Sequence, residues 1–90
     1  MGFEYDHAKS DANYEKHGIH FEASKLLWND PKRVEFVARF ADEPRLGLVA
    51  EHNEKLWTAI FTYRAGRIRI ISVRRARDHE KELYNDSTGI

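Results

Sequence analysis

Six arginines fall between positions 64 and 77, at Arg64, Arg67, Arg69, Arg74, Arg75 and Arg77, with no acidic residue among them. Arginine stays protonated, and its planar fork donates paired hydrogen bonds to phosphate or carboxylate oxygens. A segment of this kind addresses a polyanion, although a strand pair with solvated edges also carries arginines. The same permanent charge makes arginine a poor general base. Proton transfer would fall to His17, Lys16, Glu80 or Tyr84. His17 has the ordinary pKa, near ~6.5, that suits transfer at neutral pH. In the last turn of a helix, however, a histidine also caps carbonyls and favours the negative end of the dipole. Glu80 accepts a proton near neutrality only if desolvation raises its pKa, and pairing with an arginine lowers it.

The charge total hides this cluster. Fifteen Lys and Arg balance fifteen Asp and Glu. Residues 1–63 are net −3, residues 64–77 net +6 and residues 78–90 net −3, so the positive field is local. The 90 residues, 41% hydrophobic and 33% charged, predict one domain over 1–90 with a thin core. The absence of cysteine excludes disulfide frameworks, thiol catalysis and Cys-ligated metal. His7, His20, His52 and His79 show no metal-ligand spacing. No apolar run reaches the ~18–20 residues of a membrane span, and Met1–Asp6 is too polar for a secretory signal. The expected compartment is the cytoplasm.

The elements that must position these side chains follow from caps and periodicity. Asp6 is a good N-cap for a helix to about His17, with Ala8, Ala12 and Glu15 inward and Gly18 as its left-handed stop. A second helix, about Phe21 to Trp28, puts Ala23, Leu26 and Leu27 on one stripe. From there the period becomes two. Strands are expected at Arg33–Phe40, Leu46–His52, Leu56–Tyr63 and Ile68–Arg74, then a helix from about Ala76 to Tyr84 and a fraying tail beyond Asn85. A two-residue Ala65-Gly66 loop sets Arg64 opposite Arg67 and Thr62 opposite Arg69. One sheet face then holds Trp57, Ala59, Phe61, Tyr63, Ile68, Ile70, Ser72 and Arg74. The other holds Leu56, Thr58, Ile60, Thr62, Arg64, Arg69, Ile71 and Val73, and a bulge would move arginines between them. The expectation is an α+β domain: two N-terminal helices, a four-stranded antiparallel meander and a C-terminal helix.

Several spaced motifs carry a resemblance. Tyr5-Asp6-x-x-Lys9, Asn13-x-x-Lys16-His17-Gly18-Ile19-x-Phe21, Asp42-Glu43-x-Arg45-x-Gly47, Phe61-Thr62-x-Arg64 and Arg67-Ile68-Arg69-Ile70-Ile71-Ser72-x-Arg74-x-Ala76, with Glu80 and Tyr84, resemble the BrnT toxins. The likeness spans about residues 3–84; Tyr5 stands where the family usually has Trp, and Leu27-Trp28 where a Val-Phe pair is common. It implies a type II toxin–antitoxin toxin of RelE/ParE-like fold that cleaves RNA and blocks translation. It also implies a BrnA-like antitoxin encoded beside it, through which the pair reaches operator DNA.

RNA brings its own nucleophile, the 2′-hydroxyl, so cleavage without metal requires alignment, proton removal and stabilisation of the five-coordinate phosphorus. Arg64 and Arg74 are the transition-state candidates, with His17, Lys16 and Glu80 as proton or phosphate partners. Arg67, Arg69, Arg75 and Arg77 would hold the RNA backbone, and Tyr84 would stack on a nucleobase or fill the gap under the last helix. Trp28, Leu26 and Leu27 would offer the antitoxin an apolar landing site if the fold leaves them exposed. No cofactor is expected. The alternatives are a non-catalytic toxin of the same fold that poisons an enzyme such as gyrase, a co-repressor subunit, or a structural module with a basic face.

Overall fold

The computed structural model describes residues 2–40 and 42–88, and its first helix starts where the sequence places it. Asp6 stays extended, and its carboxylate accepts from the Lys9 N–H at 3.1 Å, so α1 runs His7–His17. Gly18 ends it at φ 79°, donating its N–H to the Tyr14 carbonyl at 2.8 Å. The inner face of α1 differs from expectation. Ser10 and Asn13 are buried, with His17 half-buried, whereas Ala8, Ala12 and Glu15 are exposed. Hydrogen bonding rather than apolar contact sets this face: Ser10 Oγ accepts from the Phe21 N–H, and Asn13 reaches the sheet.

The second helix is also shorter than its pattern suggested. α2 covers only Phe21–Ser24, and the chain then tightens into a 3₁₀ turn over Lys25–Asn29. With about three residues per turn, Phe21, Ser24 and Leu27 stack on one buried side. Leu26 is rotated outward and is 51% exposed. Trp28 packs edge-on against Phe3 and Phe61, at ring distances of 5.1 and 5.2 Å. The expected apolar landing stripe therefore reduces to the single side chain of Leu26.

The sheet has five strands rather than four and is mixed. Its order is β1 (Phe3–Glu4), β5 (Arg67–Arg75), β4 (Lys55–Arg64), β3 (Arg45–His52) and β2 (Val34–Arg39). The meander β2–β5 is antiparallel, but β1 lies parallel to β5, pairing Phe3 with Ile68 and Glu4 with Arg69. Two residues carry too little periodicity to announce a strand. The β4–β5 loop is the expected one: Ala65 and Gly66 both adopt positive φ, 53° and 77°, and Arg64 faces Arg67.

Register changes further along this pair. Phe61 faces Ile70 but Ile60 faces Ser72, so Ile71 is an extra residue in β5. The bulge inverts the expected faces beyond it. Val73 joins Trp57, Ala59, Phe61, Ile68 and Ile70 in the main core, while Ser72 and Arg74 move to the side of Thr58 and Thr62. That core is completed by Leu48 and Ala50 from β3 and by Ile19, Phe21 and Leu27. α3 (Asp78–Thr88) covers part of the opposite face, packing Ala76 and Tyr84 with Val49, Phe36 and Leu56.

β1 is short, so β5 has no neighbouring strand beside Val73, and a side chain takes that place. Asn13 donates to the Val73 carbonyl at 3.0 Å and accepts from the Val73 N–H at 3.1 Å. It also donates to the Ile19 carbonyl at 2.9 Å. Replacing Asn13 by Ala leaves three buried backbone groups unsatisfied, and urea unfolding is expected to show a loss of roughly 2–4 kcal/mol.

Candidate functional site

The bulge gathers arginines. Arg64, Arg67, Arg69 and Arg74 all occupy register positions on the sheet face that α3 partly covers, together with Thr58, Ile60 and Thr62. Arg75 falls on the other side, with its guanidinium 5.6 Å from the Trp57 ring. Arg77 sits between β5 and α3, exposed, and its side chain meets no acid among the described residues.

Arg74 is the most constrained of these. It donates from Nη1 to Glu80 Oε1 at 2.7 Å and from Nη2 to Glu80 Oε2 at 2.9 Å, a bidentate pair. The Glu80 side chain is 2% exposed and that of Arg74 20%. Glu80 Oε1 also accepts from the Thr58 hydroxyl at 2.9 Å and the Arg77 N–H at 2.8 Å. Burial raises the pKa of such a carboxyl, but the Arg74 bonds and the two further donors outweigh it and hold Glu80 at about 2. Glu80 therefore stays ionised at neutral pH with its oxygens committed. Its geometry suits holding Arg74, and Arg74 retains two of its five N–H groups.

His17 ends α1 and lies within electrostatic reach of Arg74. Its pKa is lowered by partial burial, then by the positive charges of Lys16 and Arg74. The shift favours the neutral imidazole, which keeps a lone pair on one ring nitrogen. Lys16 is exposed next to it. Arg74 and Glu80 are bonded to each other, and His17, next to Lys16 in the chain, feels the Arg74 charge.

Arg64 belongs to the opposite end. Thr58 faces Arg74, and Arg64 lies six residues further along β4, about 20 Å away at strand spacing. Its fork is turned to Glu43 in the β2–β3 turn, with Nη2 at 2.9 and 3.1 Å from the two carboxylate oxygens. Arg64 and Arg74 therefore stand too far apart to hold one small anion together. Arg69 meets Glu4 at 3.4 Å, and Arg67 donates to the Phe3 carbonyl at 3.1 Å. The Arg64–Glu43 pair is half-exposed, so solvent competes for it strongly.

Tyr84 is buried and donates its hydroxyl to Asp30 Oδ2 at 2.7 Å, which with burial pushes its pKa up to about 12. The same carboxylate accepts from the Glu51 and Lys32 N–H groups. In this structure Tyr84 fills the gap under α3 and offers no open ring face. Sequence reasoning gave no site role to Asp30 or Thr58, and Asn13 and Glu43 entered it only as members of the BrnT-like motifs. Asn13 alone had a signal, a poor helix former in mid-helix. The others are recognisable only by what folding sets beside them.

Among the described residues no cluster of three or more imidazole and carboxylate groups is arranged to hold a metal, and no helix is long and apolar enough to cross a membrane. A family model described as the ribonuclease toxin BrnT of type II toxin–antitoxin systems matches residues 5–80. No curated protein matches the chain.

The low Glu80 pKa has a stability consequence with a definite sign. A carboxyl whose folded pKa lies below its unfolded one contributes stability above the unfolded value, near 4.5, and loses it as pH falls through about 2. The linked loss is roughly 3 kcal/mol. Acid titration of the unfolding free energy should show this fall in wild type and a flatter curve in Glu80→Gln. Glu80→Ala, which strands a mostly buried guanidinium, is expected to cost about 3–5 kcal/mol at pH 7.

Proposed function

The chain belongs to the BrnT family of ribonuclease toxins of type II toxin–antitoxin systems, and on that premise we propose that it is a metal-independent endoribonuclease working from the His17–Arg74 neighbourhood. A type II toxin has a protein antitoxin as its partner. In this reading the antitoxin is BrnA-like, contacts operator DNA on behalf of the pair, and acts in the cytoplasm on a RelE/ParE-like toxin.

What supports the reading is an imidazole whose pKa is lowered by burial, then by Lys16 and Arg74, with the Arg74 guanidinium itself clamped by the buried Glu80 carboxylate. Neutral His17 takes the proton from the ribose 2′-hydroxyl as that oxygen attacks the adjacent phosphorus. Arg74 offers its remaining N–H groups to the non-bridging oxygens, where charge accumulates in the transition state. Because Glu80 fixes the guanidinium beforehand, little reorganisation is needed at the moment of attack. The bond from phosphorus to the 5′-oxygen breaks, and that oxygen takes a proton from water, leaving a 2′,3′-cyclic phosphate and a 5′-hydroxyl while protonated His17 returns its proton to solvent. Lys16 adds to the burial that lowers the His17 pKa and attracts the backbone. Arg64, Arg67 and Arg69 hold neighbouring phosphates, with the Glu43 and Glu4 carboxylates exchanged for them on binding. Arg75 and Arg77 extend the positive field. Glu80 has a positioning role, and Tyr84 supports α3.

Purified protein is expected to cleave RNA in EDTA. His17→Ala should lower kcat by about 10²–10⁴ with an unchanged melting temperature. Since the base works unprotonated, kcat should rise with pH through a value below the ordinary histidine pKa and be level at neutrality. RNA left intact by folded protein in EDTA would overturn the proposal and favour the non-catalytic toxin.

A further inference from the structure

The sheet face that carries Arg69 continues beyond the arginine cluster. One step past the Leu46–Phe61 pair, the antiparallel register sets Arg45 level with Thr62, and Thr62 faces Arg69. Across the next pair of strands Arg45 faces Arg39, in a register shifted by a bulge between Val37 and Arg39. Arg39, Arg45 and Arg69 thus form a transverse row from β2 to β5, with Thr62 between the last two. Three gaps between strands make it roughly 14 Å long. Arg64 and Arg67 face each other two residues further along the β4–β5 pair.

Arg39 and Arg45 differ from the arginines nearer the hairpin. Both are exposed, and neither has an ion pair or hydrogen bond from its guanidinium among the described residues. They line one open cavity of about 270 Å³ with Asp42 and Glu43. Like charges directly opposite each other on neighbouring strands are unfavourable, and an anion between them removes the penalty. Glu43 is committed to Arg64. Five guanidinium groups, at 39, 45, 64, 67 and 69, face three carboxylates, at 4, 42 and 43.

We propose that Arg39 and Arg45 form a phosphate-binding subsite that carries single-stranded RNA across the sheet to its β2 edge, remote from the reacting phosphate. The inference rests on the ribonuclease reading, which makes the anion a phosphodiester. The subsite lies some distance from His17 and Arg74, so it binds a flanking stretch of the strand and acts on affinity rather than on the chemical step.

The test uses a labelled 2′-O-methyl RNA, which lacks the free nucleophile and stays intact, in anisotropy titrations over a range of salt. Arg39→Gln/Arg45→Gln is expected to bind about tenfold more weakly. Loss of two phosphate contacts should also reduce the slope of log affinity against log salt by about 1.4. Each single variant should give about half that change. Circular dichroism and melting of the double variant should match wild type, since both side chains are exposed. Affinity and slope equal to wild type would overturn the subsite while wild-type cleavage of unmodified RNA leaves the ribonuclease reading standing. If wild type neither binds nor cleaves RNA, that reading fails and the subsite with it. If the double variant loses poly-glutamate binding but keeps RNA binding, the row serves an acidic protein partner and the proposal is overturned.

Discussion

The carboxylate of Glu80 is enclosed between the sheet and α3, and four protein donors converge on it: two from Arg74, one from Thr58 and the Arg77 N–H. A buried carboxylate is tolerable only when its charge is matched and its lone pairs are filled. Here both conditions hold through donors from β4, β5 and the link between β5 and α3. The arrangement depends in turn on the Ile71 bulge. Without that extra residue Arg74 would face the apolar core, and Glu80 would lie beneath α3 with no cation to meet it. The other end of α3 is tied by Tyr84 to Asp30, which also caps the Glu51 N–H. α3 is therefore held by two polar anchors around a small apolar contact, as suits a chain with little hydrophobic surface to spare.

The arginines divide by how firmly the protein holds them. Arg74 is nearly buried and bidentate to a carboxylate that stays charged at any pH near neutrality. Arg64 is half-exposed against a carboxylate in a surface turn. A fixed guanidinium serves a step in which charge appears at one place, because its orientation is settled before the reaction. In the proposed reading exposed pairs serve binding, because a phosphate can replace the carboxylate with little net change in hydrogen bonding. Overall neutrality is compatible with both roles: all the acids lie outside residues 64–77, and the field over the β4–β5 face is set by what is near it.

Edges receive similar treatment. A five-stranded sheet in so short a chain leaves unpaired backbone, and the molecule covers it with small means: a two-residue parallel strand beside Ile68 and Arg69, then the Asn13 amide beside Val73. Because α1 is fastened to β5 by that amide, His17 at its end comes within electrostatic reach of Arg74.

Much of this architecture was legible in the chain itself. The Asp6 cap, the Gly18 stop, the four meander strands and the Ala65-Gly66 hairpin are local events, governed by side chains within a few residues of one another. The segmental charge and the spaced BrnT motifs are likewise properties of linear order. What the tertiary structure alone decided is the pairing across distance. The side of the sheet on which Arg74 stands, the strand added by Phe3–Glu4, the burial of Asn13 in place of the alanines, and the separation of Arg64 from Arg74 each depend on where a remote segment comes to rest. A one-residue bulge leaves no trace in an alternating pattern, yet it turns every later side chain to the other face, and only the packing of both faces selects between the two.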